Sequence, residues 1–227
     1  PLTQIAPGQL MTLFGDNIGE YTAVTAQPQG GFLSPSLGDS PAVKIHGIPA
    51  PILYSAQNQI NVQVPYEIAG QTNVKLEIDD PDGRVVGAQQ LGVLPSQPSA
   101  FSNGTFVICQ SAVAAPFLTL ALNSDGSVNS CANPATPGST VTVFVNALGA
   151  AAPGLVTGKI APSPATALSV PITVSGDAEF VSAASDPGSV SGVWAVKVKL
   201  APTNAPANFT LAIGGRTLRD PLAVWAK

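Results

Sequence analysis

Short stretches in which apolar and polar residues alternate recur along the whole chain. Residues 60–64 (Ile-Asn-Val-Gln-Val) and 74–78 (Val-Lys-Leu-Glu-Ile) each place their apolar side chains on one face of an extended strand. Residues 141–145, 194–198 and 208–213 show the same two-residue period further along. Turn-forming Gly and Pro, 22 of each, separate these stretches. Because no segment of ten or more residues has a helical period, the pattern predicts an all-β protein.

One segment of the chain occurs twice, with a constant spacing of 130 residues. Residues 6–19 (APGQLMTLFGDNIG) and 136–149 (TPGSTVTVFVNALG) are identical at five positions. The shared residues are Pro7, Gly8, Thr12, Phe14 and Gly19 in the first segment, and Pro137, Gly138, Thr142, Phe144 and Gly149 in the second. Self-similarity of this kind predicts two copies of one β-rich unit.

The repeat also predicts how the chain is divided. Two copies within 227 residues leave each near the ~100 residues of an immunoglobulin-like sandwich. We therefore predict two tandem immunoglobulin-like β-sandwiches, at residues 1–97 and 134–227. Residues 98–133 between them have no repeat partner, but they carry Phe101 and Phe117, which need a surface to pack against. This segment is predicted to be an ordered β-hairpin connector.

Turn and loop signals refine the strand pattern. The sequence Asp-Asp-Pro-Asp-Gly at residues 79–83 predicts a tight turn, which would make residues 74–78 and 84–90 a hairpin. The polar, Gly- and Pro-rich residues 20–41 predict a long loop. The repeat spacing grows near residues 182–191, and their composition predicts a second loop there.

Composition and charge exclude some classes of function. Charged residues are 10% of the chain, against a typical ~25%, and the formal net charge is -4. The nine Lys and Arg are scattered, so no basic patch for nucleic acid is expected. No apolar stretch approaches the ~20 residues of a membrane span. The chain begins with Pro1 and shows no signal peptide, which is typical of a mature or trimmed fragment.

The sequence contains no recognisable catalytic constellation. His46 is the only histidine, so any Ser-His-Asp mechanism would depend on it. It precedes Gly47 in a predicted turn, where a solvated structural role is the simpler interpretation. One histidine and two distant cysteines do not make a zinc site. We therefore predict that the protein is not an enzyme and needs no cofactor.

Calcium is the metal that the sequence fits best. Asn123, Asp125 and Asn129 place oxygen atoms at intervals around a glycine, and calcium prefers oxygen ligands. The segment has a single carboxylate and lacks the terminal glutamate of an EF-hand loop. A tight turn with no bound metal is therefore the competing interpretation, as it is for the acidic residues 79–82.

Three aromatic residues are candidates for ligand contact: Phe32, Tyr54 and Tyr66. Phe32 lies in the predicted long loop, whereas the two tyrosines have polar tips suited to an interface between units. Trp194 and Trp225 fall in predicted strands and are expected to be core residues.

Three segments together resemble a known family. They are residues 7–19 (PGQLMTLFGDNIG), 47–70 (GIPAPILYSAQNQINVQVPYEIAG) and 122–144 (LNSDGSVNSCANPATPGSTVTVF). In this order they resemble the Solibacter-type uncharacterised C-terminal domain of acidobacterial secreted or surface proteins. Each half is also similar to the IPT/TIG class of immunoglobulin-like domains. The resemblance implies a β-sandwich, export from the cytoplasm and a C-terminal position in a larger parent, and it supplies no activity.

An extracytoplasmic setting would favour a disulfide between Cys109 and Cys131, since disulfides persist in oxidising compartments. If both lie on the two arms of one hairpin, the cysteines could face each other. Two reduced, buried thiols are the alternative.

These inferences converge on a non-enzymatic, extracytoplasmic module for structure, adhesion or protein interaction. Its expected partners are other domains of the parent or cell-surface proteins, and we expect a monomer. The alternative is a carbohydrate-binding accessory module of a secreted polysaccharide-active protein, with glycans as partners.

Overall fold

The computed structural model describes residues 3–106, 117–150, 155–204 and 206–227. Strands make up 47% of the structure, and a single 3-10 turn at Tyr66–Ile68 is the one helical element in these ranges. The prediction of an all-β protein is therefore confirmed. No helix in the described part of the chain is long and apolar enough to cross a membrane.

The chain forms two compact units. Unit 1 contains residues 1–97, 147–166 and 186–192, and unit 2 contains residues 98–146, 167–185 and 193–227. The predicted division follows chain order, whereas these units do not, because two later segments belong to unit 1. We call residues 147–166 and 186–192 the inserted segments.

Unit 1 contains two sheets that share one core. Its strands are β1 (Gln4–Ile5), β2 (Leu10–Phe14), β3 (Val24–Thr25), β4 (Ala42–Ile45), β5 (Ile48–Pro49), β6 (Ile52–Ala56), β7 (Gln59–Gln63), β8 (Asn73–Asp79) and β9 (Val85–Val93). One sheet has the order β1-β9-β8-β4-β5, and the other has the order β2-β7-β6-β3. Both contribute to a single apolar cluster that includes Val43, Val62 and Leu76. Burial of each such side chain stabilises the fold by about 1.5–3 kcal/mol.

The predicted hairpin of unit 1 is confirmed. Strands β8 and β9 pair antiparallel from Asn73↔Gly92 onward, with an irregularity where Asp79 meets Val85. Asp80 closes the intervening turn by accepting the Arg84 N–H on its side chain at 2.8 Å.

In the described part of unit 2, strands are the only regular secondary structure. They are β10 (Ser99–Ala100), β11 (Ser102–Phe106), β12 (Phe117–Thr119), β13 (Ala121–Leu122), β14 (Thr140–Asn146), β15 (Ile172–Gly176), β16 (Ala178–Ser185), β17 (Trp194–Leu200), β18 (Ala207–Ile213), β19 (Arg216–Thr217) and β20 (Leu222–Val224). One sheet has the order β10-β14-β17-β16, and β13 also pairs with β14. Another has the order β15-β18-β19, and β20 also pairs with β18. Strands β11 and β12 form a separate antiparallel pair.

The alternating pattern of β17 and β18 sets the core of unit 2. Every second residue of each strand is buried, from Trp194 to Leu200 and from Ala207 to Ile213. The expectation that Trp194 is a core residue is confirmed, while Trp225 is half-buried.

The repeated Pro-Gly pair forms the same turn before β2 and before β14. Gly8 and Gly138 have φ of +73° and +76°, a region that residues with a Cβ rarely occupy. In both turns the residue after the glycine donates its N–H to the carbonyl three residues earlier, Gln9 to Ala6 and Ser139 to Thr136. The five shared residue types thus include the two that shape this turn.

One loop prediction is wrong in part. Residues 182–185 belong to β16 and pair with β17, up to Ser185↔Trp194. Small Ala and Ser residues gave no strand signal there, but the neighbouring strand provides the ladder that holds them extended. The tandem immunoglobulin-like sandwiches stay a prediction. The hairpin connector also stays a prediction, since residues 107–116 lie outside the described ranges.

Candidate functional site

Strand β9 has an open edge in unit 1. Strand β8 pairs with it between Val85 and Gly92, whereas β1 covers its other side only at Gly92 and Val93. In the part of the chain that the structure describes, no strand pairs with that side from Val85 to Ala88. Val85 and Val86 are 54% and 61% exposed. This segment therefore offers both backbone hydrogen-bonding groups and apolar side chains to solvent.

The composition of β9 makes this edge unusual. Its nine residues, Val-Val-Gly-Ala-Gln-Gln-Leu-Gly-Val, contain no charge and no proline. Edge strands in natural proteins usually carry lysine, proline or an inward-facing charge, because these features discourage pairing with another chain. Strand β9 carries none of these residues, and a register irregularity between Val85 and Gly87 is the one protective feature seen there.

A buried glutamine joins the inserted segments to the first 97 residues of unit 1. Gln63 ends β7 and is completely buried. Its Oε1 accepts the Gly158 N–H at 2.7 Å, and its Nε2 donates to the Ser191 carbonyl. Backbone bonds lie beside it, from Leu33 N–H to the Gly158 carbonyl and from Ile160 N–H to the Gly31 carbonyl. Both polar ends of the side chain are thus paired with residues far away in sequence.

The predicted site residue Tyr66 lies beside this junction. Its N–H donates to Thr157 Oγ1 at 2.8 Å, and its phenol is hydrogen-bonded with the Ser191 side chain. A Cβ at Gly8 would collide with the Tyr66 ring, so only glycine allows the ring to lie there. Tyr66 therefore packs inside unit 1, and its ring is not presented as a platform for a ligand.

The Tyr66 phenol makes the stability of unit 1 sensitive to alkali. Burial raises the pKa of Tyr66, and the Ser191 hydrogen bond opposes that shift in part. The folded state favours the neutral phenol. The phenol therefore contributes fully to the free energy of unfolding below its unfolded pKa of about 10, and this contribution is lost as pH rises toward the pKa of the folded state. We expect Tyr66→Phe to be about 1 kcal/mol less stable near neutral pH, and to overtake the wild type in alkali. Urea unfolding at several pH values measures this crossover, and a difference that stays constant with pH would contradict it.

Phe32 and Tyr54 occupy two further settings in unit 1. Phe32 is 45% exposed and forms an isolated bridge with Lys159 of an inserted segment. Tyr54 is half-buried in β6, opposite Thr25 of β3 and Asn61 of β7. Phe32 is therefore the most accessible of the three predicted contact aromatics.

Two further aromatic side chains are more exposed than these three. Phe14, the last residue of β2, is 76% exposed, and Tyr21 is 86% exposed. Phe14 belongs to an apolar stretch, Leu-Met-Thr-Leu-Phe, that suggests a buried strand. The adjacent Gly15 and Asp16 are the only sequence signal that the strand ends at the surface there.

The predicted calcium residues form a hydrogen-bonded network in unit 2. Asn129 is completely buried, and its Oδ1 accepts the Trp225 N–H at 2.8 Å. Its Nδ2 donates to the Trp225 carbonyl at 2.8 Å and to Asn123 Oδ1 at 2.9 Å. One amide side chain therefore pairs with both backbone groups of Trp225, whose carbonyl also accepts the Ala135 N–H.

Asp125 stabilises the turn next to this network. Its Oδ1 accepts both the hydroxyl and the N–H of Ser127, and these bonds hold the pKa of the Asp125 carboxyl below its ordinary value. In Asn123, Asp125 and Asn129 at least one side-chain oxygen thus accepts a hydrogen bond from the protein. Calcium would have to compete with these donors. Within the described ranges no group of three or more His, Cys, Asp or Glu is placed to hold a metal ion. The calcium site remains an untested prediction.

His46 and the cysteines complete the predicted set. His46 and Gly47, with φ of +57° and +74°, form the two-residue turn between β4 and β5, and the His46 ring is exposed. This placement agrees with a structural turn. Cys131 lies at an exposed position of unit 2, whereas Cys109 lies outside the described residues, so their pairing stays a prediction.

Comparison with known proteins does not assign the chain to a family. No family model and no curated protein matches it. Among solved structures it is similar to the Escherichia coli adhesin FdeC, with 11% identity and a TM-score of 0.30 over 100% of this chain and 61% of that one. It is also similar to a β-glycosidase from Bacteroides vulgatus, with 12% identity and a TM-score of 0.26 over 98% of this chain and 25% of that one. The chain thus spans less than two thirds of either protein, and likenesses this distant assign it no function.

Proposed function

We propose that this chain is a non-enzymatic, extracytoplasmic module for structure, adhesion or protein interaction, built of immunoglobulin-like β-sandwiches. Following its sequence resemblance, we place it at the C-terminal end of a larger secreted or surface protein. The observation that carries the proposal is the open, uncharged edge of β9.

Strand addition is the mode of binding that this edge supports. An extended segment of a partner protein would pair its backbone with β9 from Val85 to Ala88, and its side chains would contact Val85 and Val86. Since β9 carries no charge, the segment that fits best is itself uncharged, because neither chain then leaves an unpaired charge at the interface. Backbone hydrogen bonds would supply affinity, and the valines would supply selectivity.

A peptide with the sequence of β9, VVGAQQLGV, is an uncharged probe for this edge. We expect it to bind the whole protein and to slow hydrogen exchange of those amides between Val85 and Ala88 that point away from β8. Val86→Lys places a charge on the open edge and should weaken binding by about tenfold. Titration and hydrogen exchange followed by mass spectrometry measure both effects.

Val128→Lys is the matched control, because Val128 is 51% exposed and lies outside the named strands of unit 2. It should bind the peptide as the wild type does. Equal losses in both variants, or exchange protection elsewhere than β9, would contradict strand addition at this edge. A chain that dimerises without peptide, and stops dimerising with Val86→Lys, would identify the partner as a second copy.

Carbohydrate binding is the second candidate, and the exposure of Phe32 favours it. Aromatic rings that face solvent can stack on sugar rings. A glycan array and pull-down on insoluble polysaccharides separate the candidates. Saturable binding that Phe32→Ala or Tyr54→Ala abolishes, while Val86→Lys leaves it intact, would replace the first proposal with this one.

The extracytoplasmic part of the proposal has its own test. Protease added to intact cells that produce the parent protein should cleave this module, while a cytoplasmic marker stays whole. A module that is protected until the cells are lysed would contradict surface exposure.

A further inference from the structure

Unit 2 contains an open cavity of about 300 Å³ between the β10–β12 region and the connection from β19 to β20. Phe101, Leu118, Leu218 and Leu222 provide apolar walls, and the three leucines are almost completely buried. The volume lies at the lower end of the range for small-ligand sites. It suits one large apolar side chain together with a short polar attachment.

Two residues of opposite charge also belong to the lining of this cavity. Arg219 and Asp220 are consecutive, exposed residues in the β19–β20 connection. Across the described ranges neither takes part in an ion pair, since the three ion pairs found there involve other residues. A guanidinium and a carboxylate beside apolar walls can serve a ligand that has an anion, an N–H donor and an apolar group close together.

The C-terminal residue of a polypeptide carries these three groups within one residue. A guanidinium binds a carboxylate through two parallel hydrogen bonds, and a carboxylate accepts a backbone N–H. We propose that the cavity binds the free C-terminus of a partner protein that ends in a large apolar residue such as leucine or phenylalanine. Arg219 holds the terminal carboxylate, Asp220 accepts a backbone N–H, and the side chain enters the apolar cavity.

This inference rests on the proposed function, since it names a partner chemistry for an interaction module. The cavity lies in unit 2 and the β9 edge lies in unit 1, so each is tested by its own probe. Failure of the C-terminal peptides with successful strand addition at β9 removes the cavity inference alone. Failure of both probes removes the protein-interaction proposal as well.

The test uses the whole protein and a fluorescent hexapeptide, Gly-Ser-Gly-Ser-Gly-Leu, labelled at its N-terminus. Anisotropy titration compares the free acid, the C-terminal amide and a peptide that ends in serine. We expect the acid to bind saturably, and the amide and the serine peptide to bind about tenfold more weakly. Arg219→Gln should cost a similar factor and Asp220→Asn about threefold, because each removes one charge-assisted contact.

Arg216→Gln is the control, because Arg216 is exposed in the neighbouring β19 and does not line the cavity. It should leave the affinity of the acid within about twofold of the wild type. The inference is overturned if acid and amide bind equally, if no peptide saturates, or if Arg219→Gln binds as the wild type does. Displacement of the peptide by free leucine at equal affinity would also overturn it, since an amino acid would then be the ligand.

Discussion

Replacing Gln63 with leucine should lower the free energy of unfolding of unit 1 by about 2–6 kcal/mol. Leucine fills a similar volume but leaves the buried Gly158 N–H and the buried Ser191 carbonyl without their partner. Each unsatisfied buried group costs about 1–3 kcal/mol, and the two costs arise together. The loss is therefore expected to exceed the effect of a typical surface substitution several times over.

The distribution of chromophores allows this loss to be assigned to one unit. All three tyrosines (Tyr21, Tyr54 and Tyr66) belong to unit 1, and both tryptophans (Trp194 and Trp225) belong to unit 2. Urea unfolding followed by hydrogen exchange and mass spectrometry, measured on the peptides that contain these tyrosines, therefore reports on unit 1. Tryptophan fluorescence, excited selectively, reports on unit 2 in the same samples.

Gln57→Leu is the matched control for Gln63→Leu. The Gln57 side chain is exposed and donates to Asn17 Oδ1 at 2.8 Å, so water can replace its partner after substitution. We expect it to change stability by less than about 0.5 kcal/mol. Two results would contradict the role assigned to the Gln63 amide. One is an equal loss of stability in Gln63→Leu and Gln57→Leu, and the other is a loss in Gln63→Leu that only tryptophan fluorescence detects.

The position of Gln63 also shows where the sequence pattern stops being informative. Alternation in residues 60–64 predicts a strand with Gln63 on its polar face, and the strand is present as Gln59–Gln63. The polar face is nevertheless covered at Gln63, where Gly158 and Ser191 bind its side chain. These partners lie 95 and 128 residues further along the chain. Local periodicity describes one strand and carries no information about which distant segment covers it.

The edge of β9 was unpredictable for a related reason. The Asp-Asp-Pro-Asp-Gly turn identifies β8 and β9 as a hairpin, which the structure confirms. Whether β9 then lies inside a sheet or at its edge depends on the order β1-β9-β8-β4-β5, and this order joins strands that are distant in sequence. The absence of charge in β9 could be seen in the sequence, but it gains meaning only once its second side is known to be open.

The second large effect is expected at Asn129, whose sequence signal was ambiguous between a metal ligand and a structural turn. Asn129→Ala removes the acceptor for the Trp225 N–H and a donor to its carbonyl. It also leaves Asn123 Oδ1 without the bond from Asn129. With a fully buried side chain lost from this network, we expect unit 2 to lose about 2–4 kcal/mol of its free energy of unfolding.

Tryptophan fluorescence should report this change directly, because Trp225 is the residue that Asn129 holds. The midpoint of the tryptophan transition is expected to fall, and the emission of the folded variant should shift toward longer wavelength as Trp225 gains access to water. Asn133→Ala is the control: its exposed amide bonds with Ser127 and Val128, where water can substitute, so we expect a loss below about 1 kcal/mol.

A calcium-binding role makes the opposite prediction, since Asn129→Ala would then destabilise the protein only when calcium is present. A loss of equal size with calcium and with a chelator therefore identifies Asn129 as a structural residue that holds Trp225 in unit 2.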